Sequence, residues 1–354
     1  MLVSMDFGVG IASGVDGWQA AQRAEALGFT HAWFYDTQML CADVFVSMAL
    51  AAVRTSRIRL GTGVLVPTNR IGPAAANGFA TLGKLAPGRI DFGVGTGFTA
   101  RNTMGLPAMR LADLREYVRV VRGLLAGETV EWDAEGAPRT VRFLDPAGGL
   151  LAVGARIPVH LSAFGPRARA LAVEIADGWL AFAGRPSRAA RDVREMEACC
   201  RAAGRDPATL YKTAFTMGCV LADGEPADGP RARAEAGPLA LSFFHGVMDG
   251  SLKVRVPDAL APAVAEYRRL YESFEPAAAR YLTLHKGHFI RPRPEEERFL
   301  TAALVRDLTT TGTADELVER VRGLAAAGYQ QLAICLAPGH EDGIEAWARV
   351  LERV

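Results

Sequence analysis

Between Pro87 and Gly105 the chain reads PGRIDFGVGTGFTARNTMG. Ile90, Phe92 and Val94 alternate as in a short buried strand. Gly93, Gly95 and Gly97 then leave alternate positions without a Cβ, so the backbone can take φ > 0 and lie close against a flat ligand. Thr96, Thr99 and Asn102 add short hydrogen-bonding side chains just beyond. In parallel α/β folds ligands bind past the C-terminal ends of strands, which makes Gly95, Thr96 and Gly97 candidates for cradling a ring. A strand that only packs tightly against its neighbours would use the same glycines, and one Gly-rich strand end does not choose between the two.

Two further sets of residues have titratable chemistry. Asp36 ends the aromatic segment Thr30 to Tyr35 (THAWFY). It can do proton work if partly buried; a strand-end Asp that caps the following loop is an equal reading. His245, His285 and His288 fall late in the chain. His285-Lys286-Gly287-His288 does not have the spacing of a zinc pair on a helix, and no Cys or acidic partner flanks it, so no metal is expected. His285 and His288 read instead as polar contacts to a substrate and as acid–base candidates.

Composition narrows the class. The chain has 354 residues, 50% of them hydrophobic, and a formal net charge of +1. That is enough for a large core, and it offers no basic surface for nucleic acid. The five cysteines have no framework spacing and fit a reducing cytoplasm. The first residues, MLVSMDFGVG, lack a basic run and a long apolar core, so no signal peptide is expected. No run of about 18 apolar residues is present to cross a membrane.

The elements that must position these residues alternate. Strands are expected over Leu2–Val9, Thr30–Tyr35, Ile58–Val66, Ile90–Val94, Ile157–Ser162, Asp177–Phe182, Leu210–Leu221 and Gln331–Leu336, with helices between them. Glu128–Asp145 reads as a small hairpin turning at Glu135-Gly136. Ala222–Leu308 breaks the rhythm and must carry structure of its own, since long structureless loops are rare in a compact domain. Eight strands alternating with helices predict a (β/α)8 TIM barrel, one domain over 1–354, with a large insertion (222–308) between strand 7 and strand 8 that serves as a lid over the C-terminal face.

Leu60-Gly61-Thr62-Gly63-Val64, Thr81 to Arg89, Gly93 to Gly97, Leu111 to Gly127, Ser162 to Pro166, Ala176 to Trp179 and Thr311-Gly312-Thr313 together resemble the bacterial luciferase-like superfamily of flavin-using oxidoreductases, over nearly the whole chain. The resemblance implies a cofactor over the barrel mouth: reduced FMN, or in other branches coenzyme F-420. It implies a ring seat at Gly61, Thr62 and Gly63, where many members have a non-prolyl cis bond. It implies a phosphate site at Ser162, Ala163, Phe164 and Gly165, and at Gly178 and Trp179. A helix opened by Gly165 offers free N–H groups to an anion, and helix capping alone explains the same residues. Many members carry a histidine after the second strand; here the loop reads Asp36-Thr37-Gln38, so no general acid carries over by identity. The expected function is a monooxygenase acting on a small organic substrate with FMN from a separate reductase, as a homodimer or higher homo-oligomer. The alternatives are an F-420-dependent hydride-transfer enzyme like methylenetetrahydromethanopterin reductase, and a non-catalytic flavin-binding barrel.

Overall fold

The computed structural model describes residues 5–183, 186–252 and 255–354. Its first half runs β1 (Asp6–Ile11), α1 (Gly17–Ala26), β2 (His31–Phe34), α2 (Val44–Ala52), β3 (Arg59–Thr62), α3 (Gly72–Leu85), β4 (Ile90–Val94), α4 (Phe98–Asn102), α5 (Leu111–Leu125), β5 (Val130–Ala134) and β6 (Ala137–Val141). The second half runs β7 (Val159–Ser162), α6 (Pro166–Ile175), β8 (Gly178–Phe182), α7 (Pro186–Ala202), β9 (Tyr211–Thr216), β10 (Val220–Leu221), α8 (Pro230–Met248), α9 (Ala261–Glu272), α10 (Arg280–Leu284), α11 (Ala302–Leu308), β11 (Gly312–Thr313), α12 (Ala314–Ala327), β12 (Gln331–Cys335) and α13 (Gly343–Leu351). Eight of the strands close a parallel barrel in the order β1-β12-β9-β8-β7-β4-β3-β2. This is the (β/α)8 architecture that the alternating pattern predicts.

Apolar residues from the outward faces of the strands and the inward faces of the helices make one large core, with Phe34, Phe92, Leu161 and Trp179 on the strands facing Ala21, Met48, Phe79 and Val121. A different cluster fills the barrel: Trp33, Leu180, Phe215, Met217, Ala333 and Cys335. Trp33 is the largest of these. Its indole N–H donates to Gln331 Oε1 at 2.9 Å, and a Cβ at Gly61 would overlap its ring. Below it lies a buried polar layer. Arg59 pairs with Asp91 through two hydrogen bonds of 2.8 and 2.7 Å, and His160 Nε2 lies 3.4 Å from the same carboxylate. Burial pushes the Asp91 carboxyl up, but His160 and Arg59 more than offset it and hold it down to about 2.

Local chemistry explains where elements depart from expectation. The third strand stops at Thr62, not Val66, because the Gly63–Val64 peptide is cis and turns the chain; Leu65 then rejoins Val94 in an isolated bridge. The segment expected as one strand over Leu210–Leu221 divides. β9 stays in the barrel, and β10 leaves it to pair in parallel with β11. Residues just past β4 form the short helix α4, opened by Gly97 at φ 76. The hairpin β5–β6 turns through Glu135 and Gly136, both with positive φ, as a two-residue type I′ turn requires.

The excursion occupies the connection between β9 and α12. A connection from a strand to its following helix leaves and returns on the C-terminal side of a barrel. Its helices α8 to α11 have their own core, in which Phe244, Tyr267 and Phe299 pack ring on ring. Leu239 and Phe289 reach out of it into the cluster that fills the barrel.

Candidate active site at the barrel mouth

The mouth is bounded by the ends of β3, β4, β7 and β8. On one side the cis peptide Gly63–Val64 presents two half-buried residues. Gly95, buried beside them, lets the neighbouring segments close in: a Cβ there would stand 2.9 Å from Val64 Cγ2 and 3.3 Å from Ser162 Cβ. Three segments converge on that bare backbone. Thr96 and Ser162, both half-buried, edge it. Beyond Ser162, Gly165 opens α6 with no side chain capping the helix and no atom within 4 Å of where its Cβ would be. The first N–H groups of a helix have no partner within it, so this end is open to an anion.

A row of aromatic rings continues from this loop. Phe164 and Phe182, exposed at strand ends, lie 6.4 Å apart and nearly parallel. Phe182 in turn stacks on Phe289 of the excursion at 5.4 Å. Phe289 has φ 58, uncommon for a bulky residue. Small residues, flat rings and an open helix N-terminus gathered at one mouth are the parts that a planar ligand with an anionic tail would use.

Several residues singled out from sequence stand elsewhere. Gly61 belongs to the barrel interior, where its missing side chain makes room for Trp33. Thr62 is fully buried and donates its hydroxyl to Gly93 O at 2.6 Å. Gly97 serves the turn into α4. Ala163 is buried, with its carbonyl accepting from Trp179 Nε1 at 2.7 Å. Gly178 is the correction of largest distance. It pairs with His160 at the N-terminal end of β8, the end of the barrel opposite the mouth, where a Cβ would overlap the His160 ring. Trp179 faces outward against Tyr329. The spacing of a strand alone does not tell which end of it a glycine serves.

The acid–base candidates are also placed. Both oxygens of Asp36 are engaged: Oδ2 accepts from Val66 N–H at 2.9 Å, and Oδ1 pairs with Arg70 at 3.2 Å. Burial raises its pKa, with Val66 and Arg70 pulling the other way. Asp36 thus secures the loop after β3, a neighbouring strand's loop and not the one that follows it in the chain. His285 and His288 are buried inside the excursion together with His245. The His288 ring stands edge-on to Phe289 at 4.5 Å, so one aromatic ring separates it from Phe182. Sequence reasoning could read Phe289 as one aromatic of the excursion and Trp33 as a core residue of its strand, but not the stacking of Phe289 on Phe182 or the plug that Trp33 forms. The only signal for either was an aromatic residue at a strand end or beside a histidine.

A closed (β/α)8 barrel with strand-end residues gathered at its C-terminal mouth is the architecture of a class of barrel enzymes. The chain belongs to the luciferase-like monooxygenase family, whose model matches residues 15–331, and it is an enzyme of that class, an oxidoreductase. It is 31% identical over 246 residues to 5,10-methylenetetrahydromethanopterin reductase of Methanolobus tindarius, covering 69% of this chain and 72% of that one. It is 36% identical over 275 residues to F420-dependent glucose-6-phosphate dehydrogenase of Mycolicibacterium fortuitum, covering 72% and 79%. In fold it is similar to the coenzyme F420-dependent tetrahydromethanopterin reductase of Methanopyrus kandleri, with a TM-score of 0.71, 22% identity and 98% of each chain covered. Among the described residues no helix is long and apolar enough to cross a membrane.

Proposed function

We propose that the protein is an F420-dependent oxidoreductase that moves a hydride between the deazaflavin and a small organic substrate held under the excursion. The observation that carries this reading is the identity above 30%, over about 70% of the chain, to a methylenetetrahydromethanopterin reductase and to an F420-dependent dehydrogenase. It supports the deazaflavin better than the reduced FMN expected from sequence, and it removes the need for a separate flavin reductase.

Bound in the mouth, F420 would supply a two-electron hydride carrier. The chain's own residues do the rest. Gly63, Val64 and Gly95 form a seat low enough for a ring. Ser162 and the N-terminus of α6 take the phosphate. Phe182 and Phe289 cover the ring's far side and exclude water, which is what the excursion contributes as a lid. Asp36, tied to Val66 and Arg70, positions the loop that carries the seat.

Catalysis can be tested by following the 420 nm absorbance of F420 with a panel of small alcohols and aldehydes. The reading requires bleaching or its reversal with at least one of them. Oxygen consumption that depends on reduced FMN and on a substrate, without any turnover of F420, would overturn it.

A further inference from the structure

Three histidines from separate segments of the excursion meet in its interior. His245 lies in the last turn of α8, His285 caps α10, and His288 sits in the turn that follows. All three are buried, and one ring nitrogen from each lies within 4.8 Å of the others. The sequence spacing hides this, because the partner of His285 and His288 comes from a helix forty residues earlier in the chain, a count that follows from their numbers.

The hydrogen bonds around the trio fix one tautomer. Glu296 accepts from His245 Nε2 at 2.7 Å, from Arg293 Nη2 at 2.8 Å and from the Tyr267 hydroxyl. With Nε2 carrying the proton, His245 Nδ1 has a free lone pair. That nitrogen stands 2.6 Å from His288 Nδ1. If His288 donates to it, His288 Nε2 is left as a bare acceptor, buried without a partner. His285 Nδ1 is buried without a partner, while its Nε2 lies 3.3 Å from Asp249 Oδ2. Buried polar atoms without partners carry an uncompensated desolvation cost. Three converging imidazoles, one of them oriented by a carboxylate from behind, are the arrangement a cation answers.

We propose that His245, His285 and His288 bind a divalent transition-metal cation of the class that imidazole prefers, such as zinc, cobalt or nickel. Glu296 orients His245 from behind, and Asp249 stands beside His285 in the same way. Zinc–nitrogen bonds of about 2.0–2.1 Å in a tetrahedral site need ligand nitrogens roughly 3.3 Å apart, so the His245–His288 pair opens by less than an ångström to admit the ion. The ion ties α8, α10 and the turn that ends in Phe289. It thereby fixes the ring that stacks on Phe182, and through Asp249, which accepts from Asn102 at 3.0 Å, it connects to α4. The site does not depend on which cofactor the mouth takes.

The test uses the full chain without a polyhistidine tag, stripped with a chelator and dialysed against zinc or cobalt. We expect uptake of one equivalent per chain, and for cobalt the visible absorption of a low-coordinate site. X-ray absorption on the loaded wild type should count three imidazole nitrogens. His245→Ala and His288→Ala should each lose the ion by at least tenfold in affinity, while cofactor titration still reports a folded barrel. Absence of uptake by the wild type at micromolar free metal, a coordination shell of sulfur from the free cysteines, or unchanged uptake in both variants would each overturn the proposal; the first two need no variant to fold.

Discussion

Trp33 decides what the glycines of β3 do. Gly-Thr-Gly at a strand end reads as bare backbone left for a ligand, but Gly61 is bare because the indole occupies the space, anchored by its N–H to Gln331. Gly61→Ala should therefore cost about 1–3 kcal/mol of stability, the usual range for overpacking, in urea unfolding. Trp33→Leu in the same chain should return part of that. A neutral Gly61→Ala that instead loses cofactor would assign the glycine to the mouth. A second residue-scale prediction concerns Asp91. Its folded-state carboxyl sits at about 2 against an ordinary value of 3.8, so the native state binds fewer protons than the unfolded one. The stability it contributes is present above about pH 4 and is lost as the pH falls toward 2. The stability gap between wild type and Asp91→Asn should be widest at neutral pH and should shrink below pH 4; a gap that is flat with pH would contradict the pairing with Arg59 and His160.

At the scale of elements, the open N-terminus of α6 and the excursion have separable roles. Ser162→Ala should weaken binding of a phosphate-bearing cofactor several-fold and leave the phosphate-free riboside of the same ring unaffected, compared by fluorescence titration; equal losses for both would move the phosphate away from α6. Phe289→Ala should keep cofactor affinity within a few-fold and lower turnover at least tenfold, because it uncovers one face of the mouth without touching its floor. Collapse of affinity with turnover per bound cofactor unchanged would make Phe289 part of the cofactor seat. Elements differ in how far the sequence reveals them. The hairpin was readable because Glu135-Gly136 separates two alternating runs. The division between β9 and β10 was not, because Leu210 to Leu221 carries no Pro, Asn or Asp to mark a break and the pairing of β10 with β11 is what separates them. The early end of β3 was hidden likewise, since a cis bond at Gly63–Val64 leaves no mark on hydrophobic periodicity.

The whole molecule follows from a period that survives local error. Strand and helix patterns alternate eight times, the count of a closed barrel with its helices outside; misjudging a boundary by a few residues does not change that. The excursion was legible for the same reason, as the longest stretch where alternation fails, the β5–β6 hairpin being a shorter one. The make-up of the barrel mouth was legible in part. Gly63, Gly95, Thr96, Ser162, Phe164 and Gly165 do stand together at the mouth, because each ends a strand or follows one. Gly178 and Trp179 begin a strand and so fall at the other end or on the outer face. The meeting of the three histidines was out of reach, because it depends on how the end of α8 packs against the residues that follow α10. The central claim, that the mouth is built for a deazaflavin, is tested most directly by titrating the purified wild-type chain with F420 and with FMN under identical conditions and reading cofactor fluorescence. The account predicts saturable, micromolar or tighter binding of F420 and binding of FMN at least tenfold weaker. Tight binding of FMN with none of F420 would contradict it.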